Sequence, residues 1–566
     1  MFKIAGQFRR LIGLCVRSPG GKVNLALFLL ITALTLGSVY ASVRLVEWTG
    51  AFYSAVEKVD APGVLRQIGI FATIIALNSA RHLLAEYLRK ILEIRWRRTL
   101  TDIAIDRWTA NKAFWHLAQA KTDRIDNPDQ RIAEDCRLFV SGMLSETLDL
   151  ISRVVGLVSF IAILWGLSDF PLSLAFMGID LEIPHYMVWA AFLYVAVSSG
   201  LTHLLGRPLK RLFSEQQHRE ADFRYAMARW RTSFDEVALS NGEDAEKRIF
   251  RARFDALAAN WKKLITRELI LGGFTYPFNH SVLRIPLFVA LPGYLAGHVA
   301  FGGLMQLSTA FSQVVTTLSW FIFSYRDLAD LVATASRLDN FMQSAAASTG
   351  PDARIHRLGR SDVFRLNALL LDTPDGRSLL TIEDLTISTG ECVWLRGPSG
   401  IGKTTLLKAV AGLWPHGTGE IRRPQEGWMF LPQKPYLPLG TLLEATAYPS
   451  AVESFGEEQI RAALCDVGLE HRMADNGATS LEAPEGLSGG ELQRLAIARL
   501  LLHAPRWAIL DEATGALDAA AEAKLLSLVR HRLPQTALIL IAHRAPQMSF
   551  DVRAIDLMPT PALAAA

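Results

Sequence analysis

The stretch Gly397-Pro398-Ser399-Gly400-Ile401-Gly402-Lys403-Thr404-Thr405 constrains this chain more than any other. It lies between an apolar run, Cys392 to Leu395, and a helix-forming run, Leu406 to Val410, so it reads as a strand–loop–helix turn. Its glycines leave room for backbone N–H groups to wrap phosphate oxygens, and the helix N-terminus behind them favours negative charge. Lys403 supplies a point charge for outer phosphates, and Thr404 an oxygen for Mg²⁺. Further on, in order, come a lone Gln433, then Leu487-Ser488-Gly489-Gly490-Glu491, then Ala508-Ile509-Leu510-Asp511-Glu512, then His543. Each has a plainer reading when taken singly: a histidine after a strand is usually structural, and an Asp-Glu pair is commonly a solvated loop. Their order and spacing lift them together.

The rest of the chain is of a different character. With 566 residues a single core is not expected, and half of the residues are hydrophobic. Mean hydropathy is positive, which points to membrane spans. The net charge of +4 is small for this length and gives no case for nucleic acid. Cys15, Cys136, Cys392 and Cys465 form no CxxC pair and no disulfide framework, which suits a reducing cytosolic face. The start carries Lys3, Arg9 and Arg10 and lacks the compact apolar core and cleavage site of a signal peptide, so the first span is expected to stay in the protein.

Apolar character is confined to the first 330 residues or so. Val23 to Val43 holds one Arg-free, carboxylate-free stretch long enough for a bilayer core, which takes about 20 residues. Further candidates begin at Ile68, cover Thr147 to Leu167, and run from Ile183 to Gly206. From Leu269 to Tyr325 only Arg284 is charged, and Gly297-His298 with Gly302-Gly303 predict a reversal between two helices. That makes six expected spans. Arg89, Lys90, Arg95, Arg97 and Arg98 mark one inside loop, and Arg207, Lys210, Arg211, Lys262 and Lys263 the other. Ser168 to Glu182 and Ala296 to Gly303 hold no Lys or Arg. The asymmetry puts both termini in the cytoplasm. The long inside segments, about Arg89 to Glu146 and Arg207 to Glu268, read as helical extensions below the membrane.

Ser344-Ala345-Ala346-Ala347-Ser348-Thr349-Gly350-Pro351 is small and turn-prone and reads as a linker. Beyond it, runs such as Trp507 to Leu510 and Ala537 to Ile541 predict buried parallel strands between helices. The expected organisation is a transmembrane domain over 1–343, a linker over 344–360, and an α/β P-loop ATPase cassette over 361–566.

The ordered motifs of the cassette resemble those of ABC transporters, and spans followed by one cassette resemble a half-size member with the exporter-type membrane fold. Two stretches narrow the resemblance, Asn127-Pro128-Asp129-Gln130-Arg131-Ile132-Ala133-Glu134-Asp135 and Ser319-Trp320-Phe321-Ile322-Phe323-Ser324-Tyr325-Arg326-Asp327-Leu328-Ala329. With Gly412-Leu413-Trp414-Pro415 and Leu431-Pro432-Gln433-Lys434-Pro435-Tyr436, they look like the bacterial SbmA/BacA-like (YddA-like) group fused to an ATPase, related to peroxisomal fatty-acyl ABC half-transporters.

The resemblance implies ATP and Mg²⁺ as ligands and assigns roles. Gly397 to Thr405 would cradle phosphates, Asp511 would hold Mg²⁺ through water with Thr404, and Glu512 would polarise the attacking water. Gln433 would touch both Mg²⁺ and that water, and His543 the γ-phosphate. Ser488, Gly489 and Gly490 would complete the site of the opposite cassette, which implies a dimer; a homodimer suffices, with a heterodimer as the alternative. The neighbourhood Leu371 to Gly376 lacks the aromatic ring on which many such cassettes stack adenine; Phe364 is a distant candidate whose expected role is core packing. Asp126 to Asp135 and Phe234 to Glu246 look like the stretches that couple cassette and membrane motions.

Intramembrane polar residues tend to face a cavity or a partner helix. The candidates are Asn78, Arg81, His82, Asn279, His280, Arg284, Gln306 and Gln313, with Arg284 foremost for a central cavity. The resulting expectation is an ATP-driven transporter in the bacterial inner membrane, in contact with lipid and its transported solute and with no nucleic acid. Peptides or other bulky solutes such as cobalamin are the expected cargo, taken up; lipidic or acyl-CoA cargo is the alternative. An ATP-gated channel or sensor subunit would share every motif.

Overall fold

The computed structural model describes residues 2–119, 127–173, 182–282, 284–347, 355–358, 363–398, 400–424, 426–474, 487–542, 545 and 550–557. They form two compact units, Met1–Arg107 with Ile125–Ser344, and Trp108–Arg124 with Ala345–Ala566.

The first unit is helical. Its helices are α1 (Phe2–Arg17), α2 (Gly21–Glu57), α3 (Ala61–Thr109), a short α4 (Ala113–Gln119) that already belongs to the second unit, and α5 (Cys136–Leu167). Then come α6 (Tyr186–Arg231), α7 (Phe234–Leu239), α8 (Glu243–Ser281), α9 (Ile285–Leu295), α10 (Phe301–Phe323) and α11 (Tyr325–Ala347). Among the described residues, four stretches of helix are long and apolar enough to cross a membrane: Gly21–Glu57, Ala61–Gln119, Pro128–Leu167 and Tyr186–Arg231. The stretch expected to hold two more spans is divided differently from a pair of plain helices. α8 ends at Ser281, Pro286 opens α9, and α9 has only 11 residues. The expected reversal falls where α9 gives way to α10, with Gly297 at φ 77°. The expected helical extensions are present as the charged ends of α3, α6 and α8.

Apolar side chains of α2, α5, α6, α9 and α10 share one core, with Val46, Leu164, Met187, Ala290, Leu307 and Val314 almost wholly buried. α2 and α10 approach closely because Gly302 has no side chain: a Cβ there would lie 2.0 Å from Ser54 Oγ and 2.5 Å from Gly50 O. Small residues permit such backbone contact in lipid, where apolar burial alone does not drive helices together. At the charged end, buried carboxylates are paired, as an uncompensated buried charge would be costly. Asp339 accepts from Arg10 Nε at 3.0 Å, and Asp135 accepts from Arg131 Nη1 at 3.0 Å and Arg337 Nη2 at 2.8 Å.

In the second unit Ser344–Ala347 close α11 and Ile355–Leu358 form β1, so the irregular part of the expected linker lies outside the described residues. The strands that follow are β2 (Phe364–Asp372), β3 (Ser378–Ile387), β4 (Cys392–Arg396), β5 (Gly417–Arg422), β6 (Trp428–Leu431), β7 (Trp507–Asp511), β8 (Ala537–Ile541) and β9 (Arg553–Asp556). The helices among them are α12 (Lys403–Val410), α13 (Leu442–Ala447), α14 (Glu457–Asp466), α15 (Gly489–His503) and α16 (Ala519–Arg532).

Among the described residues, one parallel sheet runs β9-β4-β8-β7-β6 and a second sheet runs β1-β5-β2-β3. β7 and β8 are buried along their whole length. Both faces of the parallel sheet are covered, because successive side chains point to opposite faces. Trp507 and Ile509 pack with α12 and the second sheet, while Ala508 and Leu510 pack with α13 to α16.

Candidate active site

Parallel register gathers the ends of three strands. Leu395 of β4 pairs with Ile541 of β8, and Ile541 pairs with Asp511 of β7, so β4, β8 and β7 finish at one sheet edge. The expected phosphate loop leaves β4 there and enters α12. Gly400 (φ 82°) and Gly402 (φ 105°) have backbones that a residue with a Cβ rarely adopts, and Gly402 caps α12. Ile401 is buried in the core and anchors the loop from below. The buried Lys403 ammonium donates to Gly397 O at 2.7 Å and to Pro398 O at 3.4 Å, so the cation is held inside its own loop. Thr405 follows on the first turn of α12. Ser399 lies outside the described residues.

Two hydrogen bonds unite motifs that are distant in sequence. Thr404 Oγ1 donates to Asp511 Oδ2 at 3.0 Å, and Gln433 Nε2 donates to Glu512 Oε2 at 2.8 Å. Burial pushes the Asp511 carboxyl up from its ordinary range; the Thr404 hydrogen bond opposes that shift and the Glu512 charge adds to it. A buried carboxylate beside a hydroxyl is a hard-oxygen donor pair of the kind Mg²⁺ takes. The glycine backbones and the buried lysine likewise fit nucleotide phosphates.

Glu512 has φ 50°, a left-handed backbone that costs a residue with a side chain on the order of 1–3 kcal/mol. Its surroundings hold it there. Its N–H donates to Ile541 O at 2.9 Å, and its carbonyl accepts from Gly515 N at 3.0 Å and from Gln493 Nε2 at 3.4 Å. The turn presents the Glu512 carboxylate beside the end of β7 instead of continuing the strand. Sequence reasoning missed Gln493, whose Oε1 also accepts from Ala516 N at 2.8 Å. Gln493 is buried, and so is Arg499 on the same helix.

Ser488 caps α15. Its Oγ accepts from Glu491 N at 3.3 Å, while Glu491 Oε2 accepts from Ser488 N at 2.7 Å. Arg472 grips the same carboxylate through both oxygens at 2.8 and 3.0 Å, and His471 adds a third contact at 3.1 Å. Ser488 and Gly489 are exposed at this helix N-terminus, and Gly490 is half-buried beside Leu517. His543 lies outside the described residues. Phe364 is 2% exposed and packs against Trp428 and Trp507 at 5.3 and 6.2 Å, so it belongs to the core.

In the membrane unit a cavity of about 310 Å³ lies among α2, α3, α5 and α10. Arg81, His82, Asp149, Arg153 and Gln313 line it. Arg81 donates to Asn78 Oδ1 at 3.1 Å and to Leu34 O. Arg284, expected at a central cavity, does not line this one. Arg284 caps α9 at the break that Pro286 imposes, is exposed, and is absent from the lining. Gln306 sits instead against Gly50 of α2. Trp108–Arg124, just before the first stretch expected to couple motions, belongs to the second unit. Lys112 Nζ donates to Ala411 O at 3.4 Å, and Lys112 shares a groove with Tyr436 and Arg499.

The geometry matches what comparisons with known proteins show. Residues 11–287 match the family of the ABC transporter transmembrane region 2, and residues 380–515 match the ABC transporter family. Escherichia coli (strain K12) has an inner membrane ABC transporter ATP-binding protein, YddA, 32% identical over 96% of this chain and 97% of its own. The chain belongs to the ABC transporter family. Within it, this half-transporter carries membrane region and ATPase on one chain and couples ATP hydrolysis to transport. ABC transporter D family member 2, chloroplastic, of Arabidopsis thaliana is 28% identical over 93% of this chain and 82% of its own. The lysosomal cobalamin transporter ABCD4 of Homo sapiens is 25% identical over 89% and 86%.

The Glu491 cluster has a pH signature. Arg472, then the Ser488 N–H and His471, hold the Glu491 carboxyl well below its usual range against the opposing cost of burial. A carboxyl lowered in the folded state stabilises fully above its unfolded value, about 4.3, and loses that contribution as pH falls toward its folded one. Glu491→Gln is expected to cost about 2 kcal/mol at pH 7, by loss of charged hydrogen bonds and part of a cap. The variant should also lose stability less steeply than wild type on acidification below about pH 4. Thermal unfolding followed by tryptophan fluorescence between neutral and acid pH checks both.

Proposed function

We propose that this half-transporter works as a homodimer with two shared ATP sites and imports peptides or other bulky hydrophilic solutes. The observation that carries the ATPase part is the pair of hydrogen bonds joining Thr404 to Asp511 and Gln433 to Glu512. On this reading Gly397 to Thr405 bind the phosphates, and Lys403 leaves its loop carbonyls to meet their charge. Thr404, Asp511 and Gln433 would hold Mg²⁺, which would neutralise charge on the phosphates. Glu512, held in its strained turn, orients and polarises a water, with Gln433 fixing the carboxylate and His543 facing the γ-phosphate. Ser488, Gly489 and Gly490 serve the partner's nucleotide, a role supported by the exposure of Ser488 and Gly489 at a helix N-terminus.

The proposed domain division is 1–343, 344–360 and 361–566, with six spans, both termini cytoplasmic, in the bacterial inner membrane. The cluster of cations beyond the apolar part of α6 supports that orientation. The polar lining of the cavity among α2, α3, α5 and α10 supports a hydrophilic cargo over an acyl chain. A relative named for cobalamin transport supports the same class.

Glu512→Gln keeps the shape of the side chain and removes its charge, so ATP should still bind while turnover falls at least about a hundredfold. Near-normal phosphate release by the purified variant would take Glu512 out of the mechanism. Ser488→Arg should abolish turnover while the variant still binds nucleotide; full ATPase activity in a verified monomer refutes the shared site. For cargo, inside-out vesicles preloaded with labelled cobalamin or a proline-rich peptide should lose label when ATP is added. ATP-dependent accumulation of label added outside the same vesicles instead reverses the direction, movement of acyl-CoA alone replaces the cargo class, and flux without ATP hydrolysis makes the protein a channel.

A further inference from the structure

A groove of about 890 Å³ runs between α6 and α8. Arg207, Arg211, Arg219, Lys263 and Arg267 line it, with Glu215 as the lining carboxylate. Arg219 is committed to Glu215 at 2.7 Å. Among the described residues, Arg207, Arg211, Lys263 and Arg267 make no side-chain hydrogen bond or ion pair. Repulsion among four such cations is tolerable when something anionic sits among them. The floor is rigid: buried Asn260 donates through Nδ2 to Leu212 O at 3.1 Å and to Gln216 Oε1 at 3.0 Å, locking α8 to α6.

Register gives the groove a direction. A Cβ on Gly206 would lie 3.9 Å from Leu271, while Asn260 sits opposite Leu212 and Gln216, so the helices run antiparallel. One end is therefore apolar and the other cationic. On the apolar side Leu201, Leu204, Leu269 and Ile270 are exposed, Leu204 at 69% and Leu269 at 73%. Arg207 begins where the uncharged part of α6 ends. The cations thus stand at the level where a span leaves the bilayer core, and the exposed leucines stand inside it.

We infer that this groove is a binding site for the phosphate headgroup of an anionic phospholipid, whose acyl chains lie along Leu204 and Leu269. Basic pockets between spanning helices at the cytoplasmic side suit such headgroups. A free phosphate or nucleotide would meet the same charges and leave the adjoining apolar surface without a partner. The inference requires that α6 enters the membrane and is independent of cargo and of direction.

The test is native mass spectrometry of the full-length detergent-purified protein titrated with phosphatidylglycerol and with phosphatidylcholine. Wild type should retain phosphatidylglycerol over phosphatidylcholine. Arg211→Gln combined with Lys263→Gln should weaken phosphatidylglycerol binding about tenfold or more. Arg211→Lys combined with Lys263→Arg should restore it. Arg248→Gln combined with Arg251→Gln removes the same charge from exposed positions elsewhere on α8 and should leave binding unchanged. Thermal unfolding confirms that each variant is folded. Equal lipid binding by the groove variant, an equal loss in the Arg248/Arg251 variant, or displacement of the lipid by millimolar inorganic phosphate would each overturn the assignment.

Discussion

The site rests on the parallel register of β4, β8 and β7, which brings Leu395, Ile541 and Asp511 to the same level of one sheet. Because a parallel strand ends with its carbonyl edge toward the next loop, everything that follows these strands opens on one side. The phosphate loop follows β4, Glu512 follows β7, and Gln433 follows β6, whose Leu431 pairs with Leu510. A one-residue slip of β7 would turn Ile509 from the α12 face to the α15 face and move Asp511 off Thr404. Burial on both faces forbids that slip, since Trp507 and Ile509 fill one core while Ala508 and Leu510 fill the other.

Within that frame the site is strained and clamped at a few positions. Glu512 is held in a left-handed turn by hydrogen bonds from Gly515, Gln493 and Gln433, so its carboxylate direction is fixed before any ligand arrives. Gln493 stands on α15, the helix that Ser488 and Glu491 cap. The α15 helix therefore links two groups of residues with different proposed roles, its N-terminus exposed and its second turn holding Glu512 through Gln493.

How much of this was legible in the sequence differed by region. Continuous apolar runs marked β7 and β8, because a parallel strand buried on both faces has no polar alternation to obscure it. Gly400, Gly402, Lys403 and Asp511 could be named because positive φ, a buried cation and a carboxylate at a strand end each demand a particular residue type. Gln493 could not, since an amide that braces a turn 19 residues away leaves no local pattern. The break beside Arg284 was not read from the sequence either: its isolation among apolar residues drew attention to the side chain, while Pro286 two residues on opens a new helix that Arg284 caps. Lys112 and α4 were passed over because they read as the continuing end of a long helix, and the left-handed Asn111 that separates them has no apolar signal.

Charge in the membrane unit obeys two regimes, and the contrast bears on what each cation does. Arg10, Arg131 and Arg337 sit on buried carboxylates, so their charges are neutralised within the fold. Such pairs fix helix positions and offer little to a ligand. Arg81 is different: its partners are the neutral oxygens of Asn78 and Leu34, which orient the guanidinium without cancelling its charge. A cation oriented but left uncancelled beside a polar cavity keeps its long-range attraction for anions. Arg211 and Lys263 go further, with neither neutral nor charged partners among the described residues. This gradation from paired, to oriented, to unpaired separates cations that build the helical unit from those that face something mobile. It explains why a count of arginines along the sequence leaves their individual roles unassigned.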